Sequence, residues 1–156
     1  MESVVINIHG YEVIISACDY ERIMAHKWYK NGTRGGPYFA YKTPAPERKN
    51  ILLHRFIVDC PLGMCVDHIS GNTLDNRRSN LRICTLTENK RNRSKQINST
   101  SGLKGVCWDK HHGKWYSCIS VNGKNINLGL FDDPQKAYEA YVAASKKYHG
   151  EFGRIA

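Results

Sequence analysis

Residues 64–93 read MCVDHISGNTLDNRRSNLRICTLTENKRNR. Asp67 and His68 stand side by side, and a crowd of asparagines and arginines follows them. MCVDHI alternates as a short strand, which sends Asp67 to one face and Val66 and His68 to the other. SGNTLDNRRSN is rich in turn formers and reads as a loop. LRICT is a second strand, and TLTENKRNR reads as a helix capped by Thr85 or Thr87. The stretch therefore predicts strand, loop, strand and helix, a ββα unit of about 30 residues.

These side chains suit phosphodiester hydrolysis. That reaction needs a water, a group to take its proton, and a cation to absorb charge on the phosphate. A neutral imidazole, with an ordinary pKa near ~6.5, is a suitable base at cellular pH. A carboxylate and an amide oxygen are hard ligands of the kind Mg²⁺ prefers. Asp67 and His68 point apart on the strand and can serve different partners. A helix across the hairpin would bring Asn89 to the same metal.

Asn80 lies twelve residues after His68, and Asn89 nine after Asn80. Asp67-His68, Asn80 and Asn89 at this spacing resemble the HNH nuclease motif. More narrowly, VDHISGNTLDNRRSNLRICTLTENKRNR resembles the HNH homing endonucleases of phages and mobile introns, in the variant whose final His is Asn. The likeness extends more loosely back through LLHRF and the N-terminal strands.

The resemblance implies an α+β chain built on a ββα-metal (His-Me finger) core. In that family pattern His68 is the general base, and Asp67 and Asn89 bind one divalent metal at the scissile phosphate. Asn80 braces the loop and orients the His68 ring. The products carry a 5′-phosphate and a 3′-hydroxyl. Asn in the last motif place favours Mg²⁺ or Mn²⁺ over zinc or nickel. For His54 and Arg55, in LLHRFIV, two readings stay open: phosphate contact, or support beneath the hairpin.

Composition agrees with a nucleic-acid partner. The chain has 156 residues, a formal net charge of +9 and a pI near 9.3. A protein this basic usually meets a polyanion. Seven Lys and Arg lie between Arg77 and Lys95 against one acidic residue, Glu88. Arg77, Arg78, Arg82, Arg91, Arg93 and Lys95 are the expected phosphate contacts of this run. A solvated charged face is the bland reading of such a run.

No apolar stretch is long enough for a membrane span. The start, MESVVINIHG, has no signal-peptide pattern. The expected setting is the cytoplasm of a bacterial host carrying a phage or prophage, without membrane contact. The six cysteines then default to free thiols. Neither Cys60, Cys65 and Cys84 nor Cys107, His111, His112 and Cys118 show paired CxxC spacing, so structural zinc is not expected.

Around the central stretch the chain divides into sections. Residues 1–50 are a β-rich support, nearly neutral with 7 Lys and Arg against 5 Asp and Glu. They open on a hairpin turning at His9-Gly10. A helix follows in CDYERIMAHKWY, with Asp19 as its N-cap, and then a strand in GGPYFAYKT. Residues 51–95 are the nuclease core, and 96–101 a polar linker.

Residues 102–156 read as three strands, KGVCWD, KWYSCISV and KNINLGLF, and one helix. Asn122-Gly123 marks the second hairpin. Asp132 or Asp133 caps the helix, Pro134 starts it, and Ala137, Tyr138, Tyr141, Ala144 and Ser145 form its inner stripe. GLKGVCWD, GKWYSCI and INLGLFDDPQKAYEAYVAASKKYHGEF resemble the Apetala-type (ethylene-response-factor) DNA-binding domain. That family lays its sheet in the major groove. The resemblance implies an outward set of Lys104, Trp108, Lys110, Lys114, Tyr116, Ser120, Asn125 and Asn127. Cys107, Asp109, Ser120 and Asn125 replace arginines of the plant domains, so plant sequence preference does not transfer. Asn125 and Asn127 suit adenine. For Trp115, core packing is the expectation.

The combined expectation is a site-specific, metal-dependent endonuclease on double-stranded DNA, a monomer rather than a dimer. One rival is a DNA-binding regulator with an inactive nuclease half. Another is a nuclease directed at RNA or at a nucleic-acid structure.

Overall fold

The structure is a computed structural model, which describes residues 2–32, 36–92 and 101–155. Arg93, Lys95 and all of the expected linker except Ser101 lie outside those residues. The chain is α+β and divides into two compact units, Met1–Leu86 and Thr87–Ala156.

The first unit opens on β1 (Ser3–Ile8) and β2 (Tyr11–Ser16), an antiparallel pair. His9 and Gly10 join them at φ 52° and 83°. Two successive positive φ values give the tight turn whose twist matches the flanking strands. A single 3-10 turn, Ala17–Asp19, leads into α1 (Tyr20–Met24). The predicted helix is therefore short, and Asp19 makes no side-chain cap. Its carboxylate is buried and accepts from Arg78 Nε and Nη2 at 2.8 and 2.7 Å. A two-pronged guanidinium holds a buried carboxylate more strongly than a backbone N–H does.

β3 (Tyr29–Asn31), β4 (Tyr38–Lys42) and β5 (Asn50–Leu52) form a second small antiparallel sheet in that order. The apolar run after residue 50 does not stay extended. It turns into α2 (Leu53–Ile57), which buries Leu53, His54 and Ile57.

β6 (Cys65–His68) follows, then β7 (Asp75–Asn76), a 3-10 turn over Arg78–Asn80, and β8 (Leu81–Cys84). β6 and β8 pair antiparallel, with Asp67 opposite Arg82 and His68 opposite Leu81. β7 lies inside the predicted loop and pairs in parallel with β2, Ile15 opposite Asn76.

One apolar core ties these pieces together. Ile6, Val13, Ile15, Ile23, Phe39, Leu53, Ile57, Val66 and Leu81 pack in a single buried cluster. Each such side chain contributes roughly 1.5–3 kcal/mol when fully buried. Residues 1–50 and the strands that carry Asp67 and His68 thus share a core.

In the second unit the helix α3 (Leu86–Arg91) begins at the boundary. β9 (Val106–Asp109), β10 (Lys114–Val121) and β11 (Lys124–Phe131) form an antiparallel sheet with β10 in the middle. α4 (Pro134–His149) packs on it, burying Ala137, Tyr141, Ala144, Ser145 and His149. Asp133 Oδ1 accepts from Gln135 N at 2.8 Å, the N-cap bond. Gly105 has φ 75°, and a Cβ there would stand 2.0 Å from the Tyr141 ring. Only glycine lets the chain before β9 pass so close to the helix.

Candidate active site

Strand β6 delivers Asp67 and His68 to the interior of the first unit. They are 5% and 6% exposed, so both faces of this strand are covered. Alternation still separates them: each meets its own set of partners.

Asp67 faces Arg82 across the β6–β8 ladder. Arg82 Nε and Nη2 donate to Asp67 Oδ2 at 2.9 and 2.7 Å. Both side chains are largely withdrawn from solvent. Direct cross-strand pairing brings the opposite charges together.

The His68 ring packs among polar and aromatic groups. His54 lies edge-on to it, with centroids 5.3 Å apart, and Tyr38 is tilted at 6.4 Å. Nε2 is 3.3 Å from Asn76 Oδ1. Burial pushes the imidazole below its ordinary pKa, while the Asn76 bond and the carboxylates of Asp67 and Asp75 pull it up. The net direction is downward. The ring is therefore neutral near pH 7, the form a proton acceptor needs.

Asn80 closes the loop between the strands. Its Nδ2 donates to Asp75 O at 2.7 Å, and its Oδ1 accepts from Ser70 N at 2.9 Å. Its backbone oxygen accepts from Ile69 N. All three bonds tie down the loop backbone that follows His68. The ring contact at Nε2 comes instead from Asn76. Sequence reading passed over Asn76 because it sits in DNRRSN among turn formers. Its place beside Asp75, in the two-residue strand β7, becomes visible only in the tertiary pairing with β2.

His54 is 7% exposed and wedged between the rings of Tyr38 and His68. Burial, together with His68 and Arg55 nearby, pushes its pKa down to about 3. Arg55 donates to the carbonyls of Met64, Pro61 and Cys60 at 2.6, 3.0 and 3.3 Å. It staples the loop that enters β6. Of the two readings of these residues, the contacts are those of a support beneath the hairpin.

Three arginines of the run, Arg77, Arg78 and Arg82, are paired with carboxylates. Arg77 Nε and Nη2 donate to Asp75 at 2.8 and 2.6 Å, which holds that carboxyl below its usual range. Arg78 closes on Asp19, and Arg82 on Asp67. The three arginines expected to grip phosphate are thus placed against internal carboxylates. Asn89 lies half-buried on α3 and belongs to the second unit. Among the described residues, no group of three or more His, Cys, Asp and Glu is placed to hold a metal ion. The six cysteines are free thiols.

In the second unit the sheet presents one face to α4. Val106, Ser117 and Ile119 are buried on that side. Tyr116, Ser120, Asn125 and Asn127 fall on the other, the last three exposed, with Ser120 opposite Asn125. Asn127 Oδ1 accepts from Gly129 N at 2.8 Å. Lys110 is exposed, and Lys114 pairs at the surface with Asp132.

Two residues of the expected outward set sit elsewhere. Trp108 is opposite Trp115 in the ladder, and their rings meet edge to face at 5.0 Å. Alternation puts both on the side of Val106 and Ser117, although Trp108 keeps 42% exposure. Lys104 is half-buried, and its Nζ donates to Arg91 O and Arg154 O at 3.0 and 3.1 Å. Burial lowers its pKa to about 8.

Known proteins are similar to this chain in sequence. Protein 3.8 of Escherichia phage T7 is 34% identical over 95 residues, spanning 61% of this chain and 78% of the phage protein. A Bacillus subtilis SPbeta prophage protein, YosQ, provisionally named an HNH homing endonuclease, is 43% identical over 60 residues, 35% of each chain. The uncharacterized HNH endonuclease L560 of Acanthamoeba polyphaga mimivirus is 27% identical over 149 residues, 92% of this chain and 73% of its own. No solved structure matches. Residues 59–91, the segment from the loop before β6 to the end of α3, match the HNH endonuclease family. Asp67, His68 and Asn80 all lie inside that HNH endonuclease segment.

Proposed function

We propose that the protein is a site-specific endonuclease that hydrolyses one phosphodiester bond of double-stranded DNA. His68 takes a proton from a water, whose oxygen attacks phosphorus. The bond to the 3′ oxygen breaks, leaving a 5′-phosphate and a 3′-hydroxyl. Asn80 positions the loop that follows His68. What supports this reading is a neutral, buried imidazole beside a buried carboxylate, on one strand of the segment that matches the family.

The donor chemistry of Asp67 and of Asn89 suits one hard divalent cation, Mg²⁺ or Mn²⁺. Both are oxygen donors, and no thiolate is among them. When bound, such a cation neutralises charge on the phosphate and the departing oxygen. Arg82 meanwhile holds the Asp67 carboxylate oriented within the unit.

Target choice falls to the second unit, in an arrangement like that of the ethylene-response-factor domains. Lys110, Lys114, Tyr116, Ser120, Asn125 and Asn127 then contact DNA. The arginines closed on Asp19, Asp67 and Asp75 serve the fold of the first unit.

Cleavage by the full chain, in Mg²⁺ or Mn²⁺, tests the proposal on duplex DNA, single strands and RNA. Duplex should be cut to ligatable 5′-phosphate ends. His68→Ala should lower the rate by ~10²–10⁴-fold with binding unchanged. Equal cutting by His68→Ala, or a persistent preference for RNA, would overturn it.

A further inference from the structure

We propose that Asn76 is a positioning residue that selects the tautomer of His68, placing the N–H at Nε2 and the proton-accepting lone pair at Nδ1. The inference rests on the reading of His68 as the general base.

Asn76 is 2% exposed, and its strand is held in parallel register against β2. Its Nδ2 donates to Thr73 O at 3.0 Å. A peptide carbonyl has no proton to give, so the NH₂ end of the amide must face Thr73. The Oδ1 end is thereby turned toward His68 Nε2, 3.3 Å away. The flipped amide would set oxygen against oxygen at Thr73 and a donor against the ring, leaving a half-buried carbonyl without this partner.

An amide oxygen accepts only, so the ring nitrogen that faces it must donate. A neutral imidazole has one N–H, and giving it to Nε2 leaves Nδ1 as the base. At 3.3 Å the bond is long. What it supplies is direction: it makes one of two nearly equal tautomers the better one. His54 and Tyr38 pack against the ring, and these contacts oppose a flip that would exchange the two nitrogens.

The test is long-range ¹H–¹⁵N NMR of the ¹⁵N-labelled full chain at pH 7.5, without DNA or metal. His68 should show Nε2 protonated and Nδ1 bare. In Asn76→Leu, of similar volume, the pattern should move toward a mixture of tautomers. The kcat for duplex cleavage should then fall ~10–100-fold, with KM within about twofold. A protonated Nδ1 in the wild-type chain would overturn the proposal, and that measurement stands even where Asn76→Leu does not fold. An unchanged tautomer in folded Asn76→Leu would overturn it too. Because the tautomer is read without cleavage, failure of His68 as base would appear in the His68→Ala assay and not here.

Discussion

In the first unit, arginines close on carboxylates that are themselves nearly buried: Arg78 on Asp19, Arg82 on Asp67 and Arg77 on Asp75. In the second, polar side chains stand on an open sheet face, with Ser120 opposite Asn125 and Asn127 two pairs further along, opposite Cys118. The same residue chemistry serves two ends. Desolvated charges fix the geometry around His68, since leaving one unpaired is costly. Exposed amides keep their bonds exchangeable with water and can trade them for base edges.

The comparison breaks most visibly in acid. Unfolded His54 gains its proton near the ordinary value of 6.5, while the folded chain holds it off until about 3. Between those values the unfolded state binds the extra proton. Stability is therefore full above pH 6.5 and falls as pH drops toward 3, by ~3 kcal/mol at pH 4. Urea unfolding of the first unit at pH 7 and pH 4 measures this, and His54→Phe should flatten the difference. A pH-independent midpoint in the wild-type chain would mean that His54 is not held in a closed interior.

Next in size is Arg78→Ala. It leaves Asp19, 1% exposed, with only the longer guanidinium contact, to Arg22 Nη1 at 3.6 Å. The pair is open on the arginine side, so the expected loss is about 2 kcal/mol rather than the full cost of a buried pair. Affinity for DNA and its salt dependence should stay unchanged. A large fall in affinity with no change in stability would make Arg78 a phosphate contact after all.

Smaller effects belong to the sheet face. Asn125→Ala should cost ~1 kcal/mol of discrimination between the target and a site altered at one base pair. Asn127→Ala should do less, because its oxygen already accepts from Gly129 N. Competition binding with a panel of single-base variants separates the two. Smallest is Lys110→Ala, which should weaken all duplexes alike and reduce the slope of log K against log salt by about 0.9.

Much of this organisation was legible in residue order. His9-Gly10 and Asn122-Gly123 announced their hairpins, because successive positive φ angles suit few residue pairs. Asp133-Pro134 announced the start of α4 through its cap and its preset φ. Alternation placed β6 and β8, and the spacing of Asp67, His68, Asn80 and Asn89 pointed to the family. Trp108 was misjudged: pairing with Trp115 settles its face, and no local signal encodes that register.

Local chemistry, then, settled which segments turn and which extend. Those choices depend on dihedral preferences and on side chains a few positions apart. Tertiary structure alone decided that β7 would pair with β2, that Asn76 would meet the His68 ring, and that three arginines would close on carboxylates. Parallel pairing and carboxylate partners are choices among distant groups. They are made by which surfaces the shared core of Ile15, Phe39, Leu53 and Val66 brings together.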